Sequence, residues 1–233
     1  MLGRRKCDRL GLAAELFNFP QGGEERMERL LAGHKRFHEE IFPTKREQFH
    51  LLAEMQAPRW LFITCSDSRV LPDLILQTGP GDLFITRNAG NVVPVSTDED
   101  GATATIEYAV EVLHVKEAIL CGHSDCGALK AALSRPDPVR MPKASRWLGH
   151  VEEAFRYKQP LNAAEGENAE LGALIRGNVV AQLKNLQAQP SVARAVAEGT
   201  LTVHGWYYDI LTGTIEAWNE GEQRFRPLLE KGI

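Results

Sequence analysis

Apolar residues recur at helical spacing in the N-terminal part of the chain. The apolar, aromatic and histidine positions on this stripe are Met27, Leu30, Leu31, His34, Phe37, His38 and Ile41. Their intervals of three and four residues predict an amphipathic helix over 24–42. Pro43 ends the pattern because proline has no amide N–H to donate within a helix, and a second helical segment follows at 44–55.

Short apolar runs of strand length come next. They cover 60–64, 83–86, 118–121, 201–203 and 214–218. Helical patterns accompany them at 102–113, 141–158, 168–186 and 190–198. Strands that alternate with helices indicate a parallel sheet covered on both faces. The sequence therefore predicts an α/β fold with a central, mainly parallel sheet flanked by helices. We expect one such domain over 23–233, preceded by a loosely ordered arm at 1–22.

Composition excludes several classes of function. The chain has 233 residues, a hydrophobic fraction of 43% and a formal net charge of -4. That charge gives no electrostatic reason to expect nucleic acid as a partner. No apolar stretch approaches the roughly 18 residues of a membrane span, and the N-terminus does not resemble a signal peptide. We therefore expect a cytoplasmic protein that does not bind membranes.

Two polar segments each follow a predicted strand directly. They are Thr64-Cys-Ser-Asp-Ser-Arg-Val70 and Cys121-Gly-His-Ser-Asp-Cys-Gly127. The carboxyl ends of parallel strands lie along one edge of a sheet, where ligands bind. Cys65, His123 and Cys126 would then supply two thiolates and one imidazole, a ligand set that suits catalytic zinc with a water in the fourth position. We expect Cys126 in the first turn of a helix that begins near Ser124, where the positive helix end lowers a thiol pKa.

Asp67 and Arg69 add an oriented carboxylate to this set. In an extended segment, residues 65, 67 and 69 alternate onto the same side. The Arg69 guanidinium can hold the Asp67 carboxylate bidentately and keep it ionised. Such a carboxylate accepts a hydrogen bond from a zinc-bound water. Asp67 is also available as a fourth zinc ligand in a closed form of the site.

Taken in order, several blocks of the sequence resemble the signature of the β-class carbonic anhydrases. The resemblance covers roughly residues 25–220. The blocks are Cys65-Ser-Asp-Ser-Arg-Val70, Arg87-Asn-Ala-Gly-Asn91, Ile106-Glu-Tyr-Ala-Val110, Cys121-Gly-His-Ser-Asp-Cys-Gly127, Gly205-Trp-Tyr-Tyr-Asp209 and Thr212-Gly213.

The resemblance implies a function for the matching positions. Cys65, His123 and Cys126 would bind one zinc ion per chain, with Asp67 and Arg69 as the orienting dyad. The reaction would be the reversible hydration of carbon dioxide to bicarbonate and a proton by zinc-bound hydroxide. The working unit would be a homodimer or a multiple of dimers, with the N-terminal helices lying across the neighbouring subunit.

The family's apolar substrate pocket maps onto a further group of residues, some from the partner subunit. In this chain the matching positions are Gln56, Val70, Phe84, Ala89 and Tyr108. Some family members are switched off when bicarbonate binds a separate pocket, which uses a tryptophan where this chain has Phe62. Gln56 matches the plant-like members. The resemblance therefore favours the plant-like, non-switching subtype, with Asp67 paired to Arg69 at rest.

Three other functions stay open on the sequence alone. The same zinc site would serve a hydrolase of carbon disulfide or carbonyl sulfide. A non-enzymatic interaction module would use the metal only to hold the sheet edge, although it would have no need of Arg69. A nucleotide-binding α/β domain is disfavoured because the chain lacks both G-x-G-x-x-G and G-x-x-x-x-G-K-[ST].

Overall fold

The computed structural model describes residues 23–229 apart from 96, 98, 99, 161–165 and 167. The predicted arm at 1–22 lies outside the described residues. The chain divides into two compact units, of which one ends at Met55 and the other begins at Gln56. The expectation of one domain from residue 23 onward stays a prediction.

The first unit is helical. Helix α1 covers Gly23–Arg36, a π-helical turn covers Phe37–Ile41, a 3-10 turn covers Phe42–Lys45, and helix α2 covers Arg46–Glu54. The predicted helix over 24–42 thus loses regular α geometry after Arg36. Pro43, which cannot donate an amide N–H, lies in the 3-10 turn. Phe37, Phe42 and Phe49 pack their rings together there, with centroids 5.3–6.2 Å apart.

The second unit is built on one six-stranded sheet in the order β2-β1-β3-β4-β5-β6. Strands β1 to β4 pair in parallel, whereas β5 is antiparallel to β4 and β6 is antiparallel to β5. This confirms the predicted mainly parallel sheet; β6 is an additional strand that the hydrophobic pattern did not indicate. The bounds are β1 Trp60–Cys65, β2 Leu83–Asn88, β3 Glu117–His123, β4 Thr202–Tyr208, β5 Ile215–Asn219 and β6 Arg224–Pro227.

Helices flank this sheet as predicted. The structure adds α3, which the sequence reading missed, and replaces the second half of the predicted helix at 141–158 with a 3-10 segment, Gly149–Tyr157. The α-helices are α3 Pro72–Leu76, α4 Gly101–Glu111, α5 Gly127–Ser134, α6 Pro142–Leu148, α7 Ala169–Gln187 and α8 Pro190–Ala197. No helix in the described part of the chain is both long and apolar enough to cross a lipid bilayer.

Helix α7 lies close against the sheet because glycines face it. A Cβ added at Gly122 of β3 would lie 2.7 Å from Val179 Cγ2, and one at Gly205 of β4 would lie 3.2 Å from Val179 Cγ1. All residues of α7 from Leu171 to Leu183 are buried. This close approach brings α7 into the core behind the carboxyl ends of β1 and β3.

Candidate metal centre

Three predicted ligand residues meet at the carboxyl edge of the sheet. Cys65 is the last residue of β1, His123 the last of β3, and Cys126 the N-cap residue of α5. Their ligand atoms all lie within 4.8 Å of one another, and all three residues are buried. The structure therefore brings together the residues that the sequence singled out. It corrects one detail: α5 begins at Gly127, so Cys126 precedes the first turn, because a turn with Asp125 at φ 58° follows β3.

The imidazole of His123 is oriented by a backbone carbonyl. Its Nδ1 lies 2.9 Å from the oxygen of Ser124, to which Nδ1–H donates. The lone pair then resides on Nε2, which is buried and has no hydrogen-bond partner among the described residues. A metal ion bound at Nε2 would satisfy this buried nitrogen.

The two thiols of the group lie within hydrogen-bond distance of each other. Their Sγ atoms lie 3.9 Å apart. The hydrogen bond from Cys126 lowers the pKa of the Cys65 thiol to about 4, and the same bond, together with burial, raises the pKa of Cys126. Two thiolates bound tetrahedrally to zinc at about 2.3 Å would lie about 3.8 Å apart. The sulfur spacing and the unpartnered His123 Nε2 therefore fit a zinc ion.

A carboxylate and a guanidinium lie beside this group. Arg69 donates from Nε to Asp67 Oδ1 at 2.9 Å and from Nη2 to Asp67 Oδ2 at 2.8 Å. These bonds hold the pKa of the Asp67 carboxyl well below its usual range and raise that of Arg69. Asp67 Oδ2 lies 3.9 Å from His123 Nε2. The structure thus contains the predicted pair, with Asp67 bonded to Arg69.

The pair forms in a turn, which corrects the expectation of an extended segment. The amide of Val70 donates to the Asp67 carbonyl at 3.0 Å, and the amide of Arg69 donates to Asp67 Oδ1 at 3.0 Å. An aspartate side chain commonly bonds the backbone two residues onward in this way, which favours a turn over an extended chain.

Further charged groups hold Arg69 and the segment 64–70 in place. Arg69 Nη1 donates to Asp125 Oδ2 at 2.9 Å, and Asp125 is also paired with Lys130. Burial would raise the pKa of Asp125, but the hydrogen bonds from Lys130 and Arg69 outweigh it and lower that pKa. On the other side, Arg87 donates to the carbonyls of Cys65 at 3.0 Å and Asp67 at 2.7 Å.

The predicted pocket residues occupy different environments. Val70 is buried at the end of the Asp67–Val70 turn. Phe84 of β2 and Tyr108 of α4 pack together with ring centroids 6.0 Å apart, and Tyr108 is 44% exposed. Ala89 and Gln56 are exposed. The structure therefore joins Phe84 to Tyr108, and the function of all five positions as one pocket stays a prediction.

Cys121 lies outside the ligand group. It is buried in β3 on the sheet face that carries Phe62 and Ile119. Burial raises the pKa of its thiol to about 12. Cys121 is therefore a small core residue.

The sequence reading missed two residues that support the first sulfur. The amide of Gly90 donates to Cys65 Sγ at 3.4 Å. Asn88 holds the loop that carries Gly90, because its side chain bonds both the amide and the carbonyl of Val92 at 2.7–2.8 Å. Both residues lie in the block Arg87-Asn-Ala-Gly-Asn91, whose pattern alone does not indicate what each residue does.

Known proteins that are similar to this chain agree with the resemblance seen in its sequence blocks. The carbonic anhydrase family model matches residues 60–215. A curated carbonic anhydrase from Pseudomonas aeruginosa is 45% identical over 205 residues, which cover 88% of this chain and 93% of that protein.

Solved structures are similar over the same part of the chain. The β-carbonic anhydrase CcaA is 39% identical, with a TM-score of 0.79 over 86% of this chain and 98% of CcaA. One of two tetrameric β-carbonic anhydrases from the filamentous ascomycete Sordaria macrospora is 34% identical, with a TM-score of 0.70 over 88% of this chain and 97% of that chain.

Proposed function

Because the chain belongs to the β class of the carbonic anhydrases, we propose that Cys65, His123 and Cys126 hold its zinc ion and that Asp67 and Arg69 orient the reacting water. The activity is the zinc-dependent, reversible hydration of carbon dioxide to bicarbonate and a proton, a lyase reaction. The observation that carries the ligand assignment is the buried group of two thiols and one imidazole with ligand atoms within 4.8 Å.

The comparisons do not favour the other functions that the sequence left open. The matched family and its curated relatives are carbonic anhydrases. This favours carbon dioxide hydration over hydrolysis of carbon disulfide or carbonyl sulfide, over a non-enzymatic zinc module and over a nucleotide-binding domain.

The Asp67–Arg69 dyad would orient the reacting water and supply a fixed negative charge on Asp67. Zinc in such a site lowers the pKa of its water so that a nucleophile is available near neutral pH. Asp67 Oδ2 lies 3.9 Å from His123 Nε2, so with zinc bound at that nitrogen Asp67 would accept a hydrogen bond from the reacting water. Arg69 keeps Asp67 ionised and fixes its direction. Because its pKa is held low, Asp67 would accept only a hydrogen bond, and the released proton would pass to buffer.

We assign the substrate to an apolar pocket beside the dyad. Val70, Phe84, Ala89 and Tyr108 would line it, with some of these residues supplied by a neighbouring subunit. Gln56 would donate a hydrogen bond to the bound substrate. The contact between Phe84 and Tyr108 supports this assignment, since a non-polar substrate requires apolar walls.

We also propose that the resting site is open and non-switching. Asp67 accepts two hydrogen bonds from the Arg69 side chain. The switching members use a tryptophan in their bicarbonate pocket where this chain has Phe62, and the Phe62 ring has no N–H to donate. That ring packs against Trp206, with ring centroids 6.3 Å apart. Arg87 is engaged with two backbone carbonyls. Activity is then expected to rise with pH along a single ionisation. A pH profile that requires several coupled protons would contradict this proposal.

For assembly and location, we propose a cytoplasmic homodimer or a multiple of dimers. Met27, Leu30, Leu31, Leu51 and Met55 of the first unit are each at least 57% exposed, and such apolar surface commonly marks a protein interface. Among the described cysteines, Cys65, Cys121 and Cys126 are free thiols, as expected in a reducing compartment. Light scattering would measure the assembly, and a monomer or an odd-numbered oligomer would contradict the proposal.

Metal analysis combined with stopped-flow carbon dioxide hydration tests the function. We expect one zinc per chain and activity in the wild type, and loss of both in Cys65→Ala, His123→Ala and Cys126→Ala. Cys121→Ser is the matched control, because Cys121 precedes the ligand His123 by two residues and is buried elsewhere. Full zinc occupancy in all three ligand variants would refute the assignment.

A further inference from the structure

A loop between β2 and α4 is held almost entirely by side chains. Residues 89–94 belong to no helix or strand, so their backbone groups need partners from elsewhere. Four amide side chains at the end of the core, Asn178, Gln182, Asn185 and Gln189, supply several of these partners, and we refer to them as the amide ladder. The ladder residues lie on one face of α7 and at the start of α8, at spacings of three and four residues.

Each ladder residue bonds a particular backbone group of the loop. Asn178 donates to the Gly90 carbonyl at 2.9 Å, and Gln182 accepts from the Val93 amide at 2.8 Å. Asn185 donates to the Val93 carbonyl and Gln189 to the Pro94 carbonyl, both at 2.9 Å. These bonds explain why a buried helix face carries amides, since unsatisfied loop groups would be costly.

Two side chains, Trp147 and Asn178, bond the peptide groups on either side of Gly90, next to the metal centre. The Gly90 amide that donates to Cys65 Sγ belongs to the same planar peptide group as the Ala89 carbonyl. Trp147 of α6 donates from its indole to that carbonyl at 2.9 Å. Asn178 holds the following peptide group through the Gly90 carbonyl. The two peptide groups that flank Gly90 are therefore each fixed by one side chain.

Gly90 needs this support because its backbone is permissive. It has φ +86°, which side-chain-bearing residues rarely adopt, and glycine rotates more freely than any other residue. Without anchors, the 89–90 peptide group could turn its N–H away from the sulfur. An N–H bond to a thiolate withdraws negative charge from the sulfur, and such outer partners tune a metal site.

We propose that Trp147 and Asn178 are positioning residues that aim the Gly90 amide at the Cys65 sulfur and so set the charge which that sulfur donates to zinc. This inference rests on the proposed function, in which Cys65 is a zinc ligand. Asn185 and Gln189 bond the loop further along the chain, at Val93 and Pro94, whereas Gln182 also donates to Asn178 Oδ1 at 3.2 Å.

The test uses the full chain with Co(II) in place of zinc, because sulfur-to-cobalt charge-transfer absorption reports the charge on the ligand sulfur. Trp147→Phe removes the indole donor but keeps an aromatic ring, and Asn178→Ala removes the ladder amide. Both variants are expected to move the band to longer wavelength. Trp218→Phe removes an indole donor to Glu220, Asn185→Ala removes a bond to Val93, and neither is expected to move it.

The outcomes separate this inference from the proposed function. A wild-type protein that binds Co(II) without sulfur charge transfer would refute the ligand assignment itself. A normal wild-type band that stays unchanged in Trp147→Phe and Asn178→Ala, or shifts equally in the two controls, would overturn only the positioning role.

A second measurement does not depend on the folding of any variant. In the wild type labelled with ¹⁵N-glycine and loaded with ¹¹³Cd, the Gly90 amide proton is expected to show scalar coupling to the metal through the N–H···S bond. A resolved Gly90 proton without this coupling would overturn the proposal.

Discussion

Replacement of Arg69 by alanine separates orientation of the carboxylate from metal binding. The Arg69→Ala variant loses both side-chain bonds to Asp67, at 2.9 and 2.8 Å, and both bonds to Asp125, at 2.9 and 3.0 Å. It keeps the bond from its own backbone amide to Asp67 Oδ1. Asp67 Oδ1 therefore keeps one hydrogen bond from residue 69, whereas Asp67 Oδ2 loses its only hydrogen bond from that residue.

The expected magnitude follows from this partial loss. Removing a group that orients a residue beside a metal commonly costs about 10–100-fold in activity, which corresponds to about 1.4–2.7 kcal/mol in the barrier. The Arg69 side chain is 42% exposed, so solvent screens its pairing. We therefore expect the lower end, a fall of about 10-fold in kcat/KM, with zinc content unchanged at one per chain.

Stopped-flow carbon dioxide hydration and metal analysis on the same samples measure both quantities. Arg69→Lys is expected to recover only part of the rate, because lysine carries the charge but lacks the bidentate fork. Arg194→Ala is the matched control, since it removes an exposed ion pair with Glu111 at 2.5 Å, remote in sequence from the site. Unchanged kinetics in Arg69→Ala with a lower unfolding midpoint would refute the reasoning and identify a structural ion pair. Loss of zinc in proportion to the loss of activity would also refute it, because Arg69 would then act on metal binding.

Three further predictions concern the metal and the core. Removal of zinc by chelation is expected to lower the midpoint of thermal unfolding, and added zinc to restore it, because an ion held by Cys65, His123 and Cys126 would join β1, β3 and the start of α5; an unchanged midpoint would contradict this. Gly177→Ala is expected to cost about 1–3 kcal/mol in the free energy of unfolding measured with urea, since its Cβ would lie 2.6 Å from the Ala154 carbonyl oxygen. Gly149→Ala is the control, because no atom lies within 4 Å of the added Cβ there; equal costs would refute the packing argument. Peptide mapping after iodoacetamide treatment at pH 8 is expected to find Cys121 unmodified, because its side chain is buried and burial holds the pKa of its thiol well above that pH; rapid labelling in the folded protein would contradict its burial.

The sequence was informative where one local pattern determines one structure. Apolar runs predicted β1 to β5, and the segments after β1 and β3 predicted the meeting of Cys65 with His123 and Cys126, because parallel strands end at a common edge. The five residues of α3 are too few for a helical period to appear. Strand β6 was missed because charged residues alternate with Phe225 in it.

Contacts that depend on tertiary packing were beyond the sequence. The amides of α7 resemble a solvated helix face when read as a pattern, yet Asn178 and Gln182 are fully buried against a loop far away in the chain. Alternation along the sequence predicts an extended segment at Asp67, because it does not reveal that the Asp67 side chain accepts from the Arg69 amide and so forms a turn.

A crystal structure of the zinc-loaded protein near neutral pH, with anomalous data collected at the zinc absorption edge, tests the central claim most directly. We expect one zinc peak per chain bonded to Cys65 Sγ, His123 Nε2 and Cys126 Sγ, with water as the fourth ligand and Asp67 still paired to Arg69. A zinc ion on other residues would contradict the assignment of the site, and Asp67 in the fourth position would contradict the open resting form.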